Sequence, residues 1–423
     1  MYDAIVVGAR CAGASTAMLL ARKGYKVLLV DRATFPSDIP HGHFIHRHGP
    51  RRLARWGLLD RVVAAGCPPV SSWTYDAGDF PLTGKHLVVD GIAMGYGPRR
   101  SVLDTILVEA AAEAGAEVRQ GFVVDGFVSD GDCITGIRGH TRGGAPVTEL
   151  AHITIGADGR HSLLAKTVQA PVYETVPSLT CWYFSYWSGV PRDGLEVHAG
   201  RQQVIFAFPT NDSLFAVFVA WPRARMAQVR TDINAHVLNA LDTVPALAER
   251  VHTGHREERY CGAGDLPNFL RTPQGPGWAL VGDAGCHKDP YMALGVCDAF
   301  RDAELLVDAL GEGFGGRQPL PDALAGFERR RNEATLPDYR LNLGLARFAP
   351  LPAELARARA AVRGDQESTN RFFMTLEGMI PPASNAPPTD DRPLPAAAPG
   401  GDRRTARFRG GAASPFALDR RYH

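Results

Sequence analysis

The chain opens on an unbroken apolar run, Ala4-Ile5-Val6-Val7. A short run with no polar alternation predicts a parallel strand buried on both faces. After Gly8 to Gly13, residues Ala14, Ala17, Met18 and Ala21 recur at helical spacing until Gly24, which predicts a helix and its stop. Lys26 to Val30 predicts a second buried strand, closed by Asp31. Together these make a βαβ unit. Residues 36–50, rich in Pro, Gly and His, predict a loop. Leu53, Trp56 and Leu58 place a helix over 51–59, and Leu103, Ile106, Leu107, Ala110 and Ala114 place another over about 101–114. Val118, Val123-Val124, Ile153 to Ile155 and Trp278 to Val281 read as strands, and residues 296–310 and about 321–336 as helices.

Between 179 and 221 the pattern becomes alternation: Val204, Phe206 and Phe208, then Phe215, Val217 and Val219. Ten aromatic residues crowd into this stretch, so the reading is an antiparallel sheet with one apolar face. Past about residue 380 apolar periodicity gives way to Pro, Ala, Gly and Arg, a composition that predicts disorder.

Composition narrows the function by exclusion. The 423 residues are 45% hydrophobic, enough for one large or two intertwined domains. Lys+Arg number 46 and Asp+Glu 45, a net charge of +1, which gives no reason to expect nucleic acid or an anionic membrane as partner. No stretch approaches the ~20 apolar residues of a membrane span. The N-terminus enters a strand directly, without a basic region or cleavage site, so a cytoplasmic location is expected. Seven cysteines without a Cys-x-x-Cys pair argue against a disulfide framework and a zinc site. His41, His43, His46 and His48 have only Asp38 as a nearby carboxylate and no helical spacing, so no metal is expected there.

Three glycine motifs carry the chemistry. Gly8-Ala9-Arg10-Cys11-Ala12-Gly13 lies between strand and helix, with Asp31 at the end of the next strand. It fits a dinucleotide fingerprint except that Arg10 holds the middle glycine position. Gly8 permits the tight turn, the helix N-terminus offers free N–H groups to a pyrophosphate, and Gly13 lets helix and strand pack closely. Asp31 can accept both hydroxyls of an adenosine ribose and would repel a 2′-phosphate. Gly156-Ala157-Asp158-Gly159 and Gly282-Asp283-Ala284-Gly285 each follow another buried strand, and Asp289-Pro290 and Gly295 lie downstream. All three sit at carboxyl ends of strands, where open α/β sheets bind ligands.

In this order the motifs resemble the FAD-dependent aromatic hydroxylase superfamily, the class A flavoprotein monooxygenases, related to flavin-dependent halogenases and geranylgeranyl reductases. The resemblance spans most of residues 1–345. It implies an α/β fold: a three-layer, Rossmann-like FAD-binding domain interleaved with an antiparallel β-sheet substrate domain. The implied division assigns 1–75, 98–170 and 275–345 to FAD and 76–97 and 171–274 to substrate. A C-terminal helical segment, 346–380, and a low-complexity tail, 381–423, follow. For the cofactor the resemblance implies Gly8, Ala9, Cys11, Ala12, Gly13, Asp31 and Arg32 at the ADP half, then Arg47, Arg100 and Val124. Asp158, Gly282, Asp283, Pro290, Gly295 and Val296 complete the set, with the helix dipole at Gly295 stabilising negative charge on the reduced flavin.

The aromatic sheet suggests a hydrophobic pocket, with Trp182, Tyr186, Phe206, Phe208, Phe218 and Tyr291 as substrate-binding candidates. His43, Arg47, His287 and Lys288 are the catalytic candidates, against the alternative that they are structural. The implied activity is monooxygenation: a flavin C4a-hydroperoxide passes oxygen to a hydrophobic, aromatic or polycyclic molecule. No second dinucleotide fold is present, so NADH or NADPH would dock transiently, or a separate reductase would supply electrons. The alternative is a reductase or dehydrogenase acting on C=C or C–N bonds. Less weight falls on a non-catalytic binding protein, or on a halogenase: no two tryptophans show the halogenase Trp-x-Trp-x-Ile-Pro spacing.

Overall fold

The computed structural model describes residues 1–381 except 40, 142, 192–193 and 201. The low-complexity tail expected over 381–423 therefore lies, but for residue 381, outside the described residues. Five parallel strands lie side by side: Glu117–Gln120, Val27–Asp31, Tyr2–Val7, the latter half of Val147–Gly156, and Trp278–Leu280. Alternation within the opening apolar run explains why it is continuous. Ala4 and Val6 enter one core with helices Cys11–Arg22, Arg100–Glu113 and Gly295–Phe314. Ile5 and Val7 enter another, under the antiparallel strands Phe122–Asp130 and Cys133–Thr141. This is the three-layer, Rossmann-like arrangement.

The second large sheet runs His255–Arg256, Thr180–Ser188, Phe215–Pro222, Val204–Pro209, Leu195–Ala199, Trp73–Asp76, Pro81–Gly84. It is antiparallel except where Leu195–Ala199 pairs in parallel with Trp73–Asp76. The segment boundary expected between 75 and 76 falls inside that strand. The expectation of one apolar face needs correction, because both faces are buried. Trp182, Phe184, Tyr186, Phe208 and Phe218 share one core. Tyr183, Trp187, Phe215, Val217 and Trp221 share the other, under helices Ile233–Leu241 and Pro245–Thr253. The two alternating runs read from the sequence therefore face opposite ways.

One predicted helix also ended too early. It continues through Pro337 to Ala346. The proline removes one helical N–H, yet Tyr339 and Asn342 beyond it are fully buried. Asn342 accepts from the Met292 N–H at 3.0 Å and donates to the Asp289 carbonyl at 2.9 Å, so tertiary anchoring outweighs the break. Beyond it, helices Ala353–Ala361 and Gln366–Leu376 pack back onto the second sheet: Phe373 lies 4.7 Å from Trp73, ring to ring.

Candidate active site

The first motif is a close-packed turn. Gly8 adopts φ +102°, and a Cβ there would lie 2.4 Å from the Ala157 carbonyl oxygen, so the first and second motifs touch through backbone. A Cβ on Gly13 would lie 1.7 Å from the Gly8 carbonyl oxygen. The Ala9 N–H donates to Asp31 Oδ2 at 2.7 Å and the Ala33 N–H to Oδ1 at 2.8 Å, which fixes the carboxylate beside the turn. Ala12 packs against the third motif: a Cβ on Gly282 would meet Ala12 Cβ at 2.8 Å. Cys11 is buried, its thiol 3.4 Å from Asp104 Oδ1, and burial first, then Asp104, pushes its pKa up. Arg100 holds the same buried carboxylate, Nε at 3.1 Å and Nη2 at 2.9 Å from Oδ1. Arg32 is exposed, and Val124 is half-buried at a bulge in its strand.

His41 reports on the space between these groups. It is exposed, yet its pKa is lowered to about 4, first by desolvation, then by Arg100, with Arg160 and Arg10 adding to it and Asp283 opposing. The charges that act on this ring, Arg10, Arg100, Arg160 and Asp283, come from the first and third glycine motifs, from the residue after the second, and from the start of helix Arg100–Glu113.

Three features between these motifs fit FAD. Asp158 spends Oδ2 on the Leu163 N–H at 2.7 Å, while Oδ1 is buried without a partner, and burial raises the carboxyl's pKa. Gly295 is exposed, and a Cβ there would meet nothing within 4 Å. It opens the 20-residue helix Gly295–Phe314, whose N-cap makes no side-chain hydrogen bond, so free N–H groups and the positive dipole end face open space. Pro290 opens the one-turn helix Pro290–Met292 before it, and Ala293 follows at φ +51°. Val296 is buried behind Gly295.

The six substrate-binding candidates fall in one cluster. Trp182 and Phe206 lie 5.8 Å apart, Tyr291 lies 6.4 Å from each, and Phe208 stacks on Phe218 at 5.6 Å. Sequence reasoning missed Phe184, which stacks on Phe218 at 4.4 Å. The signal was available, since Phe184 sits between Trp182 and Tyr186 at two-residue spacing.

The catalytic candidates separate. His43 is buried in the aromatic cluster, its Nδ1 3.1 Å from the Gly97 carbonyl and its Nε2 3.0 Å from the Tyr186 hydroxyl. The carbonyl only accepts, so Nδ1 donates and Nε2 accepts the phenol proton. Burial first, then Arg99, lowers the ring's pKa to about 3, so it is neutral. Arg99 covers the Tyr186 ring at 4.0 Å and is itself held by Asp38 and Glu258. Arg47 turns its guanidinium to Asp338 at 2.6 Å. His287 bonds the Pro267 carbonyl and stacks on Phe269. Lys288 is buried 2.5 Å from Asp298, a pair without ideal hydrogen-bond direction, and Arg301 Nη1 adds a second cation at 2.6 Å.

His46 and Glu377 were not foreseen as a unit. His46 places Nδ1 2.7 Å from Glu377 Oε2 and Nε2 3.0 Å from the Met292 carbonyl. The Met292 carbonyl can only accept, so Nε2 donates to it. The separation of 331 residues left no local signal.

The model of the FAD binding domain family matches residues 1–262. The chain belongs to the FAD binding domain family. This FAD-binding chain is 24% identical over 413 residues to the kynurenine 3-monooxygenase of Salinispora tropica, covering 89% of this chain and 87% of that one. It is 23% identical over 319 residues to the digeranylgeranylglycerophospholipid reductase of Methanosarcina mazei, with 74% and 75% covered. The solved structure of the myxobacterial chondrochloren halogenase, an FAD-dependent halogenase, superposes with a TM-score of 0.74 at 20% identity, covering 89% of this chain and 97% of that one. The chain is an FAD-dependent oxidoreductase of the aromatic hydroxylase superfamily. Among the described residues, no helix is long and apolar enough to cross a membrane.

Proposed function

We propose that this chain is an FAD-dependent monooxygenase that oxygenates an uncharged, hydrophobic aromatic or polycyclic molecule. One observation carries the reading. A buried aromatic cluster, Trp182, Phe184, Tyr186, Phe208 and Phe218, includes Tyr291 from the segment between the Asp283 motif and Gly295. The polar groups beside it are largely paired: His43 is neutral with both nitrogens bonded, and both Arg99 Nη atoms meet carboxylates while its Nε is buried without a partner. Such a surface favours an apolar ligand and keeps water from the reacting centre. Bound FAD supplies the oxygen chemistry. The protein's part is to hold the dinucleotide with Gly8, Gly13, Asp31, Arg100, Asp158 and Asp283 and to present Gly295 to the flavin. Oxygenation is preferred to halogenation because the tryptophans lack the halogenase spacing. NADH, NADPH or a separate flavin reductase would supply the electrons.

The test is oxygen uptake by FAD-loaded protein with NADH, NADPH or chemically reduced free flavin, against neutral aromatic and isoprenoid compounds. The reading expects substrate-dependent uptake and a product heavier by one oxygen atom. Equal turnover without oxygen would replace it with the reductase reading. No uptake with any reductant and compound would sink it.

A further inference from the structure

The fingerprint turn departs from its pattern at the middle position, where close backbone approach to a pyrophosphate ordinarily calls for glycine. Arg10 stands there at φ −94° and ψ −162°, a conformation that does not require glycine. Its guanidinium is not loose. Nη1 donates to Asp104 Oδ2 at 2.7 Å and to the Ser37 carbonyl at 3.4 Å, and Nη2 to Ser37 Oγ at 3.1 Å. It also lies 5.4 Å from the Phe35 ring centre. Asp104 is fully buried and already receives Arg100 and the Cys11 thiol. Two guanidiniums thus share one buried carboxylate beside the N-terminus of helix Cys11–Arg22, with Asp283 also acting on Arg100. The loop that carries Ser37 is held elsewhere by the Phe35 N–H on Gln120 and by Arg99 on Asp38.

We infer that Arg10 is a cofactor-retaining residue: with Arg100 it presents positive charge to the FAD pyrophosphate, and it pins the segment Phe35 to Ser37 across the mouth of the fingerprint. It thereby replaces what the glycine gives by close approach with a charge-assisted contact. Asp104 is the positioning residue that holds both arginines. The role is distinct from the choice of substrate and stands whether the chain oxygenates or reduces.

The decisive variant is Arg10→Gly, which restores the usual glycine. FAD affinity of the apoprotein is measured by flavin fluorescence quenching over a range of salt, with thermal melts to verify folding. The inference expects Arg10→Gly and Arg10→Gln to weaken FAD binding at least about ten-fold and to flatten its salt dependence. Arg10→Lys, which keeps the charge but not the fork, should fall between them and the wild type. Ser37→Ala should hasten FAD release with the salt dependence unchanged. If Arg10→Gly does not fold, Arg10→Gln carries the comparison alone. Affinity equal to or tighter than wild type in the glycine variant would overturn the inference, because glycine would then simply be the better fingerprint residue. Wild-type protein that takes up no FAD would overturn it together with the cofactor assignment.

Discussion

Gly13 and Gly295 look alike in the sequence but carry opposite constraints. A Cβ at Gly13 would enter the Gly8 carbonyl, whereas one at Gly295 would meet open space. Gly13→Ala must therefore push helix Cys11–Arg22 off its strand, with an expected loss of about 1–3 kcal/mol by urea denaturation of the apoprotein. Gly295→Ala should leave apoprotein stability within about 0.5 kcal/mol and still weaken FAD binding. A Gly295→Ala variant with wild-type FAD affinity would show that the flavin does not approach that helix end. Asp289 gives a second test at this scale. Its carboxyl is pushed up to about 6, by burial foremost, against the hydrogen bond from Thr180. The folded state therefore holds the proton more tightly than the unfolded one. The stability this contributes is fully present below the ordinary value of 3.8 and is lost as pH rises through about 6. Asp289→Asn stays neutral throughout, so its Tm should fall less than the wild type's between pH 4 and 7 (about that window). Parallel Tm curves would remove Asp289 from the account.

At the scale of elements, the segment before helix Gly295–Phe314 is held by charge. Asp298 lies in the helix's first turn, with Lys288 and Arg301 on it. Burial opposes its ionisation, but Arg301 and Lys288 prevail and hold its pKa to about 2. Asp298→Asn would strand a buried lysine, at an expected cost of about 3–5 kcal/mol in chemical denaturation. Lys288→Met should cost less, because Arg301 still answers Asp298. The reverse order would mean that the lysine is not paired in solution. These elements show what was legible beforehand. Continuous apolar runs gave the parallel strands, because a strand covered on both faces cannot hide a polar residue. The close packing of the three glycine motifs was legible because close backbone approach demands glycine locally: Gly8 meets Ala157, and Gly282 meets Ala12. Helix Leu320–Ala346 was misjudged at Pro337, since local propensity cannot see the burial of Tyr339 and Asn342 beyond it. The aromatic sheet was legible as a sheet, but its second buried face depended on helices Ile233–Leu241 and Pro245–Thr253, which no residue of the strands announces. Asp104 with Arg10, and Glu377 with His46, were invisible for the same reason: their partners are 94 and 331 residues away.

For the molecule as a whole, near-zero net charge conceals a concentration of paired charges where its parts meet. The C-terminal segment is tied to the rest by hydrogen bonds such as those from the Lys85 N–H to Asn370 and from Arg51 to the Met379 carbonyl, and three further contacts add to these. Arg359, 1% exposed, reaches Asp79 at 2.7 Å, Phe373 packs on Trp73, and Glu377 holds His46 and the Arg47 N–H. The third tie matters most for the cofactor, because His46 passes it on to the Met292 carbonyl, three residues before Gly295. Arg47 is held there at φ +53°, an unfavourable conformation for a residue with a side chain. Burial opposes the charge on Glu377, but His46 and Arg47 outweigh it, and its pKa is lowered. Its contribution to stability is thus present above the ordinary value of 4.5 and lost as pH falls below that. Glu377→Gln keeps an acceptor for the Arg47 N–H but removes the charge facing His46, and should cost about 2–4 kcal/mol at neutral pH. If the C-terminal segment is one cooperative unit with the cofactor cleft, flavin release on heating must move down together with the tryptophan fluorescence transition. If it only covers the second sheet, the tryptophan transition will shift and flavin release will stay where it was. The His46 link to Met292 predicts the first outcome, because strain let go at Arg47 reaches the segment that leads into Gly295.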